Sequence, residues 1–409
     1  MKGFLKVLKY FGLLIIALLI IANLIILFSG RLYIYKALSA TYFRGNSGPS
    51  IYDQEVFNSR IVAKGVAHAW KTIDQDRNVT LNKTDLSFIE SLNPSSFLVA
   101  WGDTIIYETY WNEHDKNSIS NSFSMSKSVV ALLIGIAIEE QLIQSIDEPV
   151  SNYLPEFLGE KSTITIRHIL TMSSGLSWSE NYAHPFCDVA ELYYDTDARD
   201  LALNRRTIEE EPGLVWRYKS GDTQVLMYIL EAATGKKTAT YASEKIWQKI
   251  GAESDAAWSL VDQDNSEEKA YCCLYATTSD FARLGKLINQ HGKWNGKSIV
   301  DSSYIAQFRT LAPLVKGNGK PNQLYGFQYW IYTGLPYEVY YFRGMLGQYI
   351  ISIPSKNLVI VRTGMGTLEN GANQEDWPNN ISHPIEGHRL ELPNYIEIGL
   401  SILEKYKKN

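Results

Sequence analysis

The stretch FSMSKSVVALLIGIAIEEQ lies at residues 123–141 and has the pattern of a helix. It is apolar on nearly every face from Val129 to Ile138, which is typical of a helix inside a protein rather than on its surface. The mostly polar residues 118–122 precede it and favour a helix start near Ser124. We therefore expect a buried helix whose first turn carries Ser124 and Lys127.

Ser124-Met125-Ser126-Lys127 is an S-x-x-K element. Residues three apart on a helix share one face, so the two side chains can meet. A serine hydroxyl becomes a good nucleophile when an unprotonated lysine takes its proton, and burial drives a lysine toward that neutral form. A serine at a helix start also lies near backbone N–H groups that stabilise an oxyanion. We expect Ser124 to be a nucleophile and Lys127 its proton acceptor.

The same spacing occurs again at Ser266-Glu267-Glu268-Lys269, inside the polar run DQDNSEEK. There we predict a solvated loop without chemistry. For Ser124 the simpler alternative is a helix cap with a surface lysine. The apolar helix that follows makes this alternative less favourable.

Tyr218-Lys219-Ser220 lies at a polar break before the helical pattern TQVLMYILEAATGK. Such a break can present both hydroxyls to a cleft, and a tyrosine can take part in proton transfer. The chain has 26 tyrosines, so this pattern carries weight only through its position after the Ser124 element.

Strand patterns lie at both ends of the body of the chain. Residues 97–111 form two apolar runs around Gly102-Asp103, which predicts a hairpin. Three more runs, EVYYFRG, GQYIISIP and NLVIVRTG, lie within 338–364, and a last helix is expected at about 393–407. Residues 125–310 are mostly helical, including DFARLGKLINQ at 280–290 with Thr278 or Ser279 as its cap. We predict an α+β fold (an α/β sandwich): an antiparallel sheet from both chain ends, helices on its faces and a mostly helical insertion.

The order Ser124-x-x-Lys127, Tyr218-x-Ser220 and a glycine-bearing C-terminal strand resembles the serine β-lactamase and penicillin-binding protein superfamily. The similarity is greatest to the branch with class C β-lactamases, esterases and 6-aminohexanoate-dimer hydrolases. TIRHILTMSSGL at 165–176 agrees with it, and the resemblance covers roughly 90–365. It implies a β-lactamase/transpeptidase-like fold.

The resemblance also implies roles for individual residues. Ser124 would be acylated, Lys127 and Tyr218 would move protons, and water would release the acyl group. The backbone N–H of Ser124 would form half of the oxyanion hole. Ser220 and the loop residue Tyr182 would line the substrate cleft, although Tyr182 as a packed aromatic is an equal alternative. His168 would be structural.

The third family motif, Lys-Thr-Gly or His-x-Gly, is altered in this chain. Phe342-Arg343-Gly344 and Arg362-Thr363-Gly364 are the two candidates. We favour 342–344, because the family triad precedes the strand that GQYIISIP matches. Arg343 would then be the cation, Gly344 would let substrate approach the backbone, and the N–H of Met345 would complete the oxyanion hole. The absence of Lys-Thr-Gly disfavours specialisation for β-lactams.

Residues 11–28, FGLLIIALLIIANLIILF, contain one polar residue, Asn23, and reach the lower limit for a membrane span. Three lysines precede them, which predicts an uncleaved signal anchor, with a cleaved signal peptide as the alternative. The short N-terminal tail favours a single-pass protein of a bacterial cell membrane whose body lies outside the cytoplasm, on the periplasmic side. The expected divisions are a tail at 1–10, the anchor at 11–28, a membrane-proximal segment at 29–89 and a hydrolase domain at 90–409.

Composition excludes several classes of protein. The chain has 39 Lys and Arg residues and 44 Asp and Glu residues, and neither positive nor negative residues form a long run. A broad basic face that binds nucleic acid is therefore not expected. The scattered histidines predict no metal site, and no cofactor is indicated. The three cysteines, Cys187, Cys272 and Cys273, are predicted to be small buried residues without a disulfide.

The leading hypothesis is a membrane-anchored serine hydrolase that cleaves a small amide, ester or β-lactam-like substrate through a Ser124 acyl-enzyme. A penicillin-binding D,D-peptidase or a β-lactamase, acting on a peptide or a β-lactam, is the alternative within the same superfamily. An anchored binding or sensor module without turnover is the alternative of another class.

Overall fold

The computed structural model describes residues 2–73, 79–182, 184, 186–262, 266–368 and 387–408. The helices are α1 (Lys2–Phe28), α2 (Tyr33–Ala40), α3 (Lys83–Ser91), α4 (Met125–Glu139), α5 (Ile166–Leu170), α6 (Asp188–Tyr194), α7 (Ser220–Thr234), α8 (Thr238–Ala242), α9 (Thr278–Asn289), α10 (Ser302–Phe308) and α11 (Leu392–Lys408). The strands are β1 (Ser59–Val62), β2 (Lys71–Thr72), β3 (Pro94–Trp101), β4 (Thr104–Tyr110), β5 (Ile119–Asn121), β6 (Val215–Trp216), β7 (Ala256–Ser259), β8 (Leu274–Thr277), β9 (Lys293–Trp294), β10 (Lys297–Ser298), β11 (Val315–Lys316), β12 (Trp330–Tyr332), β13 (Val339–Gly344), β14 (Gln348–Ile353) and β15 (Leu358–Gly364).

The main sheet has the strand order β12-β13-β14-β15-β3-β4-β2. Its strands come from both ends of the chain, because β15 pairs with β3 in antiparallel register from Leu358↔Trp101 onward. The predicted hairpin at Gly102 is confirmed as β3–β4, with Gly102 at a φ of +59°, a conformation that favours glycine. The pairs in this sheet are antiparallel apart from β2, which runs parallel to β4.

Alternate residues along the central strands face two different cores. Leu98 and Ala100 of β3 pack into a core shared with α4, α7 and α9, whereas Phe97 and Val99 pack into one shared with α3 and α11. Period-two alternation with both faces apolar is what a sheet between two helical layers requires. The predicted α+β sandwich, with helices on both faces of the sheet, is therefore confirmed.

The helix predicted at the start of the S-x-x-K element is α4, and its residues 125–137 are all buried. The helix α9 begins earlier than predicted. Its cap is Thr277, whose hydroxyl accepts a hydrogen bond from the Asp280 N–H, so Thr278 and Ser279 lie inside the helix. The terminal helix α11 lies at Leu392–Lys408, close to the predicted range.

The residues that follow α1 pack onto the body of the protein. Tyr33 and Ala40 of α2 are buried in a cluster with Leu192 and Tyr193 of α6, and β1 adds an antiparallel strand to β7. The helix α1 makes no such packing over its apolar window, which has a mean hydropathy of 3.1 and is long enough to cross a membrane or to act as a signal sequence.

Two further expectations from the sequence are wrong. Glu268 and Lys269, predicted in a solvated loop, are both fully buried. Arg60 pairs with Glu268 at 2.6 Å and compensates its charge. The Lys269 Nζ donates to the Tyr193 carbonyl at 2.6 Å, and burial lowers the pKa of this amine well below its usual value.

The second correction concerns the cysteines. Cys272 and Cys273, predicted as free thiols, form a disulfide between adjacent residues. The bond closes in a turn where Cys273 has a φ of 70°. Cys187 remains a free, buried thiol as predicted.

Candidate active site

Ser124 lies at the N-terminal end of α4 and is partly exposed, whereas the next residues of the helix are buried. The preceding residue, Phe123, has a φ of 43°, a left-handed conformation that costs a non-glycine residue energy. The Asn121 side chain accepts a hydrogen bond from the Phe123 N–H at 2.9 Å and holds this turn. The turn therefore presents the Ser124 hydroxyl at the mouth of a cleft.

Lys127 lies one turn further into α4 and is 1% exposed. Its Nζ is 3.0 Å from the Ser124 Oγ, 3.1 Å from the Ser220 Oγ and 2.7 Å from the Tyr271 carbonyl oxygen. Burial lowers the pKa of Lys127 to about 7, and the Glu180 carboxylate opposes this shift. Near neutral pH a large share of this amine is unprotonated and can accept a proton from Ser124.

Tyr218 faces the same hydroxyl, within hydrogen-bonding reach of Ser124. Its ring lies 5.2 Å from the Lys127 Nζ and packs against Trp330 at 5.7 Å. Burial raises the pKa of Tyr218 above the usual 10.0, with Glu180 adding to the shift. The phenol therefore stays protonated at neutral pH, which suits an acid or a proton relay rather than a phenolate base.

Glu180 is a part of the site that the sequence reasoning missed. Its carboxylate accepts hydrogen bonds from the Ser220 Oγ at 2.6 Å, the Ser220 N–H at 2.9 Å and the Trp178 Nε1 at 2.6 Å. Nothing in the run SWSENYAHPF distinguishes this glutamate from other loop carboxylates. Its role follows only from the approach of its loop to the start of α7.

Tyr182 lies in the same loop and reaches the site with its hydroxyl. Its side chain is 58% exposed, yet its hydroxyl donates to Glu180. Burial of that hydroxyl beside Glu180 raises the pKa of Tyr182 well above its usual value. The ring is therefore not packed in the core, and it lines the space in front of Ser124.

The segment 342–344 ends β13 beside Ser124. A Cβ on Gly344 would approach the Ser122 carbonyl oxygen to 2.2 Å, so the glycine allows β13 to lie directly against the turn before the nucleophile. The Arg343 guanidinium lies 4.6 Å from the Trp330 ring centroid.

The other candidate triad does not reach the cleft. Arg362 on β15 is fully buried and donates to the carbonyl oxygens of Leu346 and Gly347, both at 2.8 Å. Its guanidinium therefore holds the turn after β13 and is not available to a substrate.

Two cavities meet at Ser124. The first, of about 440 Å³, extends from Ser124 and Ser220 toward α2. The second, of about 380 Å³, contains Tyr218, Arg343 and Arg389. Ser124 and Met345 border both cavities, so a substrate group at Ser124 has space on two sides. Among the described residues, no cluster of three or more His, Cys, Asp and Glu side chains could hold a metal ion.

Sequence comparison gives a consistent family result. The family model described as Beta-lactamase matches residues 95–383. The 6-aminohexanoate-dimer hydrolase of Paenarthrobacter ureafaciens is 26% identical over 227 residues, which are 53% of this chain and 57% of that enzyme. Esterase EstB of Burkholderia gladioli is 29% identical over 141 residues, 31% of this chain and 36% of the esterase. The chain thus matches just over half the length of the first relative.

Solved structures show the same fold. A Bacillus anthracis protein provisionally named a 6-aminohexanoate-dimer hydrolase superposes with a TM-score of 0.71 at 22% identity, covering 88% of this chain and 94% of that one. A family VIII carboxylesterase gives a TM-score of 0.59 at 15% identity, covering 78% and 95% of the two chains. At these identities the likeness concerns the fold alone.

Proposed function

Because this chain belongs to the beta-lactamase family of serine hydrolases, we propose that it hydrolyses an amide or ester through an acyl-enzyme on Ser124. The single observation that carries the proposal is the contact of the Ser124 Oγ with the desolvated amine of Lys127 at 3.0 Å. A nucleophile beside a base whose pKa is near the working pH is the requirement for acyl transfer.

The first half of the reaction forms the acyl-enzyme. The Ser124 Oγ attacks the carbonyl carbon while its proton passes to the Lys127 Nζ. The N–H groups of Ser124 and Met345 are proposed to bind the oxyanion. The bond to the leaving oxygen or nitrogen then breaks, and that atom takes a proton from the Tyr218 hydroxyl, which is replenished by the Lys127 ammonium.

The second half reverses these transfers with water as nucleophile. Water adds to the acyl carbonyl, and its proton passes through the Tyr218 hydroxyl to Lys127. The bond between the acyl carbon and the Ser124 Oγ then breaks, and the Lys127 ammonium returns a proton to that oxygen. The hydrogen bond from Lys127 to Ser220 and the bond from Ser220 to Glu180 support a positioning role for both residues. Ser220 would keep the amine directed at the cleft.

The test compares p-nitrophenyl acetate hydrolysis by the full chain and by Ser124→Ala in detergent. We expect the variant to lose activity by at least about a thousandfold. Ser128→Ala is the matched control, because this serine lies one turn further along α4 with its hydroxyl on the Gln328 carbonyl oxygen. Full activity in Ser124→Ala would show that the proposed mechanism is wrong.

Labelling with a β-lactam distinguishes the other functions possible within the family, D,D-peptidase and β-lactamase. A Bacillus subtilis protein that is named as a penicillin-binding protein is 26% identical to this chain over 166 residues. Slow-released label on Ser124 would favour a D,D-peptidase, and rapid turnover would favour a β-lactamase. With Phe342-Arg343-Gly344 in place of Lys-Thr-Gly, we expect neither. A folded chain that neither reacts with any ester nor takes up label would instead indicate a binding module.

We also propose that α1 anchors the enzyme in a bacterial membrane with the hydrolase body outside the cytoplasm, and that residues 29–89 are a membrane-proximal segment that packs onto this body. The apolar window of α1, with no residue buried against the body, supports this placement.

A further inference from the structure

The cavity between Ser124 and α2 has no role in the proposed chemistry. One wall comes from the body, with Phe123, Val189, Tyr194 and Cys272, and the other from α2, with Ile34 and its neighbours. No Asp, Glu, Lys or Arg is among the described residues that line it. A cavity of about 440 Å³ with such walls has the size of a small-molecule site and suits an aliphatic group.

The position of Tyr218 assigns the two cavities to the two halves of the substrate. Tyr218 borders only the cavity with Arg343, so the leaving atom that takes its proton belongs on that side. The acyl group must then extend the opposite way, into the apolar cavity that Ser124 and Met345 also border.

The apolar cavity lies next to the membrane end of the chain. Only residues 29–32 separate α1 from α2, so Tyr33 lies within about 18 Å of the end of α1. The Tyr35 hydroxyl donates to the Asn23 side chain at 2.7 Å, which ties α2 to the apolar helix itself. At the other end of this wall Tyr42 is 65% exposed, as expected of a tyrosine at a bilayer surface.

We propose that the substrate is an ester or amide of an aliphatic acyl chain resident in the bilayer, and that this chain occupies the cavity between Ser124 and α2. The inference rests on the proposed function, since it takes Ser124 as the nucleophile. The acyl carbonyl would lie at Ser124, and the chain would run along α2 toward the membrane.

The first test is the chain-length dependence of kcat/KM. For the full chain in detergent we expect kcat/KM to rise from p-nitrophenyl acetate to the octanoate, by up to about fourfold per methylene. Ala37→Trp, which fills the cavity from α2, should lose this rise, so that its ratio of octanoate to acetate kcat/KM falls toward one. Ser39→Trp adds the same side chain at an exposed position of α2 and should behave as wild type.

A flat chain-length profile with normal acetate hydrolysis would overturn the acyl pocket and leave the proposed function intact. A chain that hydrolyses no ester would instead overturn the proposed function.

The second test asks whether substrate comes from the bilayer. The full chain is reconstituted in phosphatidylcholine vesicles, and 4-methylumbelliferyl oleate is placed either in the same vesicles or in separate ones. We expect hydrolysis to be at least tenfold faster when enzyme and substrate share vesicles than when they are in separate vesicles. In both arrangements Ala37→Trp should lose most of the oleate hydrolysis, whereas Ser39→Trp should retain it. Equal rates in the two settings would overturn supply from the membrane.

Discussion

At the scale of single residues, the buried amine of Lys127 sets the pH dependence of the reaction. Because the unprotonated amine is the proton acceptor and burial lowers its pKa to about 7, kcat/KM for p-nitrophenyl acetate should rise with pH through 7 and then level off. At pH 6 we expect about a tenth of the plateau value. A profile still rising at pH 9, as for an ordinary lysine, would contradict the role of burial.

Glu180 should raise the pH at which Lys127 loses its proton. Its negative charge opposes the lowering of the Lys127 pKa, so Glu180→Gln should move the acidic limb of the profile to lower pH, by up to about one unit. The variant should therefore gain activity relative to wild type at pH 6 more than at pH 8. Glu160→Gln removes the same charge at an exposed position and should leave the profile unmoved.

Glu180→Ala distinguishes charge from hydrogen bonding. It removes the acceptor for the Ser220 hydroxyl and N–H as well as the charge, so we expect a lower plateau in addition to the shifted limb. A fall in plateau alone for both variants would mean that Glu180 only maintains structure.

The residues of the site differ in how well the sequence predicts them. Ser124 and Lys127 are predictable because helical spacing fixes their contact locally. Tyr218 and Ser220 need the family resemblance, since their approach to Ser124 depends on how α7 packs against α4. Glu180 could not be predicted, because a loop carboxylate acquires its partners only from the tertiary fold.

At the scale of elements, the end of β13 is held against the start of α4 by the small size of Gly344. In Gly344→Ala the added Cβ would meet the Ser122 carbonyl oxygen, so strand and helix must separate. We expect a loss of about 1–3 kcal/mol of stability and at least a tenfold loss of kcat, measured by thermal unfolding and ester hydrolysis. Gly12→Ala, where a Cβ meets nothing within 4 Å, is the control. An active, equally stable Gly344→Ala would refute this tight approach.

The elements that the sequence predicts best are those with uninterrupted patterns. The helix α4, the β3–β4 hairpin and the C-terminal strands are marked by apolar runs or turn residues. The buried residues Glu268 and Lys269 have no such mark, because their partners, the Arg60 side chain and the Tyr193 carbonyl, are distant in the sequence.

At the scale of the whole molecule, the cysteines report on the compartment that the body reaches. Protein purified from membranes, denatured and alkylated without reductant should carry one alkyl group, on Cys187, and three after reduction. The reason is that disulfides persist in oxidising compartments and are rare in the cytosol. Three alkylated thiols without reductant would contradict an oxidised Cys272–Cys273 pair and the placement of the body outside the cytoplasm.

The overall architecture could be predicted because strand patterns at both ends of the chain frame a helical middle. The adjacent disulfide could not, since it depends on a turn conformation at Cys273 that the residue types do not reveal. The cavity beside α2 was equally hidden, because residues 29–89 show no strong periodicity.

The pairing of β3 with β15 has a consequence for how the protein is made. Ser124 is synthesised early. The strand β15, which completes the centre of the sheet, and the turn with Met345 follow it by more than half the length of the chain. A nascent or truncated chain therefore carries Ser124 without a cleft and leaves β3 with an open edge, a surface prone to aggregation. Hydrolytic competence is thus acquired only near the end of synthesis, when the two ends of the body meet.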